Sequence, residues 1–254
     1  EKANPSLRYF PHLKQEMLDE YEKLSDRGGS EVEFMTKRMN FPVNAIHETV
    51  TTWENIQKAN DDLPELRGTP AVVGVDYADT NDFVVVGLLM KKDNTYYWKS
   101  HTFICHLALE GRKYKVPIDV AVEEGRATIV YEDIISPSYP VGWVLEQSKE
   151  HPIVTVTSDM YRINYLSEEF EKNGLDRIKI ARSGSLTHTA LDPFVGEIFA
   201  FKRIKWGKDF MMNWYTWNTY KKRDGKGNMT YEKIEPKLRK NDGFMALIHA
   251  LQHR

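Results

Sequence analysis

The chain has 254 residues, of which 41% are hydrophobic, 28% charged and 12% aromatic, with a single cysteine. Such a composition excludes a disordered chain, a collagen-like chain and a small scaffold that depends on disulfides. Lys and Arg number 35 against 37 Asp and Glu, for a formal net charge of -2. No global positive field is offered to nucleic acid, so any such contact requires a local basic patch.

Cys105 lies in the apolar stretch from Thr102 to Leu109 and reads as a buried structural thiol. No apolar run approaches the ~18 residues of a membrane span. The opening Glu1-Lys2-Ala3-Asn4-Pro5 is not a signal peptide. These features predict a protein of a reducing cytoplasm with no membrane partner. An opening without Met predicts a piece cut from a longer chain.

Leu13, Met17, Leu18, Tyr21 and Leu24 follow a helical period up to the break at Arg27-Gly28-Gly29-Ser30, and a second helix is predicted from Glu31 to Met39. The clusters Asp61-Asp62-Leu63-Pro64 and Gly68-Thr69-Pro70 are breakers. They divide the chain into a helical linker over 1–67 and a second domain over 68–254. Beyond them Ala71 to Asp76, Phe83 to Met90 and Thr95 to Leu107 are rich in β-branched residues and joined by short polar turns, which predicts a three-stranded meander. Ile153 to Asp159, a helix from Tyr161 to Lys172 and a strand at Arg177 to Ala181 predict a parallel, right-handed crossover unit. A helix over about Ala190–Lys202, an aromatic hairpin from Asn213 through Asp224-Gly225 to Tyr231, and a last helix from Asp242 to Gln252 complete the pattern.

A meander followed by a helix-linked parallel strand and a terminal helix is the element order of an RNase H-like α/β fold, a mixed sheet flanked by helices. In that order the fourth strand lies beside the first, about 4.8 Å away. Asp76 and Asp159, which end those strands, then meet where α/β sheets bind ligands. Asp242, opening the last helix, completes a cluster of three if that helix crosses the sheet. Three acids of this kind suit two divalent ions, which activate a water and stabilise the leaving oxygen of a phosphodiester. Each acid alone is equally what a strand needs to exit into solvent. Asp82 is an accessory ligand by position, and Asp79 reads as an ordinary turn acid.

The segment Gly74-Val75-Asp76-Tyr77-Ala78-Asp79-Thr80-Asn81-Asp82-Phe83 resembles the first strand and hairpin of the nuclease domain of tailed-phage large terminase subunits. Lys240-Asn241-Asp242-Gly243-Phe244 resembles that family's closing motif, and Ala3-Asn4-Pro5-Ser6-Leu7 resembles the passage from its ATPase domain to the linker. The resemblance implies a Mg²⁺- or Mn²⁺-dependent endonuclease that cuts concatemeric double-stranded viral DNA in the host cytoplasm during packaging, with a portal protein and a small terminase subunit as partners. It implies Asp76, Asp159 and Asp242 as catalytic metal ligands, with Asp82 beside them. Asp133, in Tyr131-Glu132-Asp133, is the alternative middle ligand, because Met160 stands where the family has proline or a small polar residue. Asn218 resembles a family asparagine after a tryptophan. No Gly-x-x-x-x-Gly-Lys-Ser/Thr loop occurs in the sequence, so no ATPase activity is expected of this chain.

Between residues 199 and 240 stand twelve Lys and Arg against four Asp and Glu. Lys221, Lys222, Arg223, Lys226, Lys237, Arg239 and Lys240 are the candidates for phosphate contact, a mode of binding that reads no sequence. Lys240, next to the last acid, is positioned to neutralise the scissile phosphate. Trp206, Trp214, Tyr215, Trp217 and Tyr220 stack on bases or pack a core face. His249 and His253 read as surface residues. The other readings of the pattern are a resolvase or transposase of the same fold, and a non-catalytic DNA-binding docking module.

Overall fold

The computed structural model describes residues 12–19, 48–80, 82–112, 114–235 and 238–254. Two compact units divide the chain, Glu1–His47 and Glu48–Arg254. In the first, residues 12–19 form a helix, in keeping with the spacing of Leu13, Met17 and Leu18. Tyr21, Leu24, the helix predicted from Glu31 to Met39 and the Ala3–Leu7 motif lie outside the described residues.

The second unit starts earlier than the boundary expected at residue 68, because residues 48–67 are bonded into it. Glu48–Thr49 (β1) pairs with Lys221 and Tyr220. Trp53–Ala59 (α1), capped by the Thr52 side chain, buries Ile56 and Ala59. The Ala59 carbonyl accepts from the Trp206 amide at 2.8 Å.

Ala71–Asp76 (β2), Phe83–Lys92 (β3) and Thr95–Cys105 (β4) form the expected antiparallel meander. Asp93 and Asn94, both at positive φ, make its tight β3–β4 turn. His106–Leu109 (α2) and Ile118–Glu123 (α3) lead to Ala127–Val130 (β5), and Ser138–Ser148 (α4) leads to Ile153–Ser158 (β6). Ile163–Lys172 (α5), Ile178–Ile180 (β7), Ser185–Ala200 (α6) and Ile204–Lys205 (β8) follow. The main sheet runs β5-β4-β3-β2-β6-β7, with β8 also paired to β4. β6 lies parallel to β2, Val75 beside Ser158. The apolar part of β2, Ala71 to Val75, is buried throughout, as a strand covered on both faces requires.

The aromatic segment departs from expectation. Phe210–Trp217 is a helix (α7), and only Thr219–Arg223 (β9) and Met229–Lys233 (β10) form the hairpin, which joins β1 in a second, three-stranded sheet. Asp209 starts the helix by accepting from the Met211 and Met212 amides at 3.0 and 3.3 Å. Met211 with Tyr215 and Met212 with Thr216, each four residues apart, are then buried on its inner side.

Asp242–Leu251 (α8) crosses the sheet over β2 and β3, with all but Met245 buried. A helix that is covered all round must approach its neighbours closely. At Gly74 a Cβ would stand 2.1 Å from the Ala246 carbonyl oxygen, and at Gly243 one would stand 2.2 Å from the Tyr215 ring. Gly74, with Ala246 and Ala250 opposite it, lets α8 lie down on β2, and Gly243 lets the first turn of α8 close against α7. Among the described residues no helix is long and apolar enough to cross a membrane.

Candidate active site

Four elements deliver the candidate acids to one rim of the sheet. β2 ends in Asp76, the loop after it carries Asp82, β6 is followed by Asp159, and α8 begins with Asp242. Because Val75 and Ser158 are register partners, Asp76 and Asp159 leave adjacent parallel strands at the same level. Asp76, Asp82 and Asp242 line one cavity of about 420 Å³, together with Tyr231, Lys233 and Asn241. Asp159 stands beside this cavity rather than in its lining.

The electrostatics are those of like charges crowded at a sheltered place. Burial pushes the Asp76 carboxyl well above the ordinary carboxylate range, and Asp242, Asp159 and Asp82 push the same way against the opposing charge of Lys233. Asp159 is also raised, chiefly by burial, while His249 and the Tyr161 amide pull it down. Two lysines balance the acids. Lys233 Nζ lies 3.0 Å from Asp242 Oδ1, and Lys240 Nζ is paired with Asp82 Oδ1. Burial opposes the charge on Lys233, but Asp242, Asp82 and Asp76 outweigh it and its pKa is raised.

The acids do not close into one preformed ligand cluster as the sequence reading expects. Among the described residues no three His, Cys, Asp or Glu side chains are gathered closely enough to hold one ion. The lysines account for this at two of the carboxylates, where ammonium groups hold one oxygen each. The donor set nevertheless fits a hard divalent cation. It is made of carboxylate oxygens, and Asp242 Oδ2 and Asn241 Oδ1 at the cavity are buried with no hydrogen-bond partner among the described residues.

Asp133 is exposed on the loop after β5 and is not among the carboxylates that act on Asp76. Asp79, read as a turn acid, is buried instead, at 6% exposure. His249, read as a surface residue, is buried beneath the site, with Nδ1 2.9 Å from the Val75 carbonyl. Its pKa is lowered by burial, against the pull of that carbonyl and of Asp159. His253 is partly exposed. Asn218 is buried and donates to the Lys240 carbonyl at 3.0 Å, which anchors the segment entering α8 to the end of α7. Spacing from Trp217 marked this asparagine in the sequence, but its partner is 22 residues away.

The basic candidates are mostly engaged. Lys221 pairs with Asp192 at 2.8 Å, Arg223 with Glu48 at 2.7 Å, Lys222 with Glu232 at 3.1 Å and Arg239 with Glu235 at 3.5 Å. Lys240 is buried, at 5% exposure. Lys226, exposed at the β9–β10 turn, makes no ion pair with a described residue. Lys237 lies outside the described residues. Trp206 and Tyr215 are core residues, with Trp206 Nε1 donating to Asn213 Oδ1 at 2.9 Å.

A seven-stranded mixed sheet with acids along one rim, the last of them delivered by a crossing helix, is an RNase H-like fold. The profile of the family described as "Terminase large subunit, endonuclease domain" matches residues 1–254, and the chain belongs to that family. The match sets aside the resolvase and transposase alternatives.

Among solved structures the chain is similar to the large terminase of bacteriophage HK97, with a TM-score of 0.73 and 16% identity over 94% of this chain and 50% of that one. It thus spans about half the length of the HK97 protein. The large terminase nuclease from thermophilic phage G20c superposes with a TM-score of 0.53 and 13% identity, over 81% of this chain and 98% of that one. The same G20c nuclease with bound magnesium gives a TM-score of 0.52 and 15% identity, over 82% and 98%. At such identities the likeness establishes the fold. A comparison with curated proteins returned no match.

Proposed function

We propose that this domain is the metal-dependent endonuclease of a genome-packaging terminase, cutting concatemeric double-stranded viral DNA through two divalent cations, Mg²⁺ or Mn²⁺. The observation that carries the reading is the shared cavity of Asp76, Asp82 and Asp242, in which burial and neighbouring carboxylates hold Asp76 well above its ordinary pKa. Carboxylates crowded in this way are stabilised by added positive charge. The G20c nuclease with bound magnesium supports the choice of cation for this fold.

Asp76, Asp159 and Asp242 are the ligands in this reading, with Asp82 as accessory. Bound divalent cations supply Lewis-acid charge and a water of lowered pKa. The chain's own residues supply the rest. Asp76 and Asp242 are fixed by the close packing of β2 against α8, which leaves little reorganisation to the moment of reaction. Lys233 and Lys240 keep positive charge at the rim, where a phosphodiester would bring its own negative charge. Lys226 offers phosphate contact at the hairpin tip. Portal protein and small terminase subunit, in the host cytoplasm, are the partners this role calls for.

Nicking of supercoiled plasmid in Mn²⁺ tests the reading. Cutting that is abolished by chelator and by Asp76→Asn is expected. Plasmid left intact by the wild type contradicts it and favours a docking module, and plasmid cut equally well by Asp76→Asn contradicts the assignment of the chemistry to this cavity.

A further inference from the structure

Asp79 does not line the acidic cavity, yet it is buried at the junction of three loops that leave the ends of β2, β5 and β6. Its carbonyl accepts from the Ile135 amide at 2.7 Å, beside the bond from the Tyr77 hydroxyl to the Ile135 carbonyl at 2.6 Å. Its carboxylate faces the third loop. Oδ1 accepts from the Tyr161 hydroxyl at 3.2 Å, and Oδ2 is 3.0 Å from Arg162 Nε.

Tyr161 and Arg162 complete the turn that Asp159 begins. The Tyr161 amide donates to Asp159 Oδ1 at 3.1 Å. Arg162 has φ of 53°, a left-handed conformation that residues with a Cβ seldom adopt unless something holds them. The ion pair with Asp79 supplies that hold, with the arginine side chain about half exposed and the acid almost covered.

We infer that Asp79 is a positioning residue: by gripping Tyr161 and Arg162 it fixes the turn that orients Asp159, and so sets where that carboxylate stands relative to Asp76. The loop after β2 then carries two acids of different duty. Asp76 serves the cavity, and Asp79, three residues on, ties the neighbouring strand's acid to the same frame. The inference rests on the reading of Asp159 as a ligand. Outer groups that orient ligands in this way typically govern metal affinity about tenfold or more.

Calorimetric titration of the 254-residue chain with Mn²⁺ tests this, with thermal melting in chelator as the control for folding. Asp79→Asn keeps an acceptor for Tyr161 but loses the charge, and Arg162→Gln breaks the same contact from its exposed side. Each is expected to weaken Mn²⁺ binding by about tenfold, and the double variant no further than either alone, because both remove one contact. In the nicking assay the Mn²⁺ concentration for half-maximal rate rises by a similar factor, while the rate at saturating Mn²⁺ recovers. Should Asp79→Asn fail to fold, Arg162→Gln carries the comparison. Mn²⁺ affinity unchanged in these variants, or losses that add in the double, overturns the inference alone. A wild type that binds no Mn²⁺ removes the nuclease reading as well.

Discussion

Lys233 Nζ and Asp242 Oδ1 stand 3.0 Å apart, pairing the last residue of β10 with the first of α8 in the cavity that Asp76 and Asp82 also line. The ammonium group is one of two built-in positive charges at an otherwise acidic place, the other being Lys240 on Asp82. A divalent cation entering the same cavity would compete with it for Asp242. Lys233→Met should lower stability in chelator by about 1–3 kcal/mol, less than a fully buried pair costs because Lys233 keeps some exposure. Mn²⁺ should then raise the melting temperature of the variant by more than that of the wild type. Equal Mn²⁺-induced shifts would show that the lysine and the cation do not compete.

His188 links α6 to the hairpin, its Nδ1 accepting from the Tyr231 amide at 3.2 Å. Burial, and secondarily the nearby His249, lowers its pKa from 6.5 to about 4. A histidine whose folded pKa lies below its unfolded value binds fewer protons when folded, so stability is full above about pH 6.5 and is lost as pH falls toward about 4. The loss approaches 3 kcal/mol at about 1.4 kcal/mol per unit. His188→Asn, which keeps an acceptor for the Tyr231 amide, should flatten stability across that window in urea melts at several pH values. An unchanged acid limb would assign the loss to other groups.

Gly74 admits α8 to the sheet, and a methyl group there meets the Ala246 carbonyl oxygen at 2.1 Å. Backbone cannot rotate away as a side chain can, so Gly74→Ala has to lift the helix. A destabilisation of about 1–3 kcal/mol is expected, as for other overpacked cores. Nicking should fall disproportionately, because the lifted helix carries Asp242. Full activity in a destabilised variant would separate the helix position from the chemistry.

The hairpin lysines divide by their partners. Lys226→Glu should weaken binding to duplex DNA and reduce the slope of log affinity against log salt by about 0.9, the value of one phosphate contact. Lys221→Ala should act mainly on stability, since it removes the 2.8 Å ion pair of Asp192, whose side chain is 14% exposed and keeps the Tyr231 hydroxyl at 3.1 Å and Arg223 at 3.6 Å. Equal effects of the two on the salt slope would mean that Lys221 leaves Asp192 for DNA.

Much of the frame was legible in the sequence because it rests on local patterns. β2 is an apolar run ending in Asp76, β6 is a β-branched run followed by Asp159, and α8 carries its apolar residues at helical spacing. The remainder is set by distant partners. Trp214, Tyr215 and Trp217 favour strands as isolated residues, and the Asp209 cap with burial four residues apart overrode that preference. Distance along the helix from Asp242 sets His249 apart from the site, whereas its neighbour is the Val75 carbonyl across the packed interface. The basic run reads as a free patch until Glu48 and Asp192, far away in the chain, are seen to neutralise Lys221 and Arg223. Asp79 reads as an ordinary turn acid because Tyr161 and Arg162 are more than 80 residues from it.

Anomalous diffraction from crystals of this domain soaked in Mn²⁺ tests the central claim most directly. The account predicts manganese density in the cavity at the start of α8, within bonding distance of the carboxylates of Asp76 and Asp242, with Lys233 drawn away from Asp242. Manganese bound only elsewhere on the molecule, with the Lys233–Asp242 pair intact at saturating metal, would contradict it.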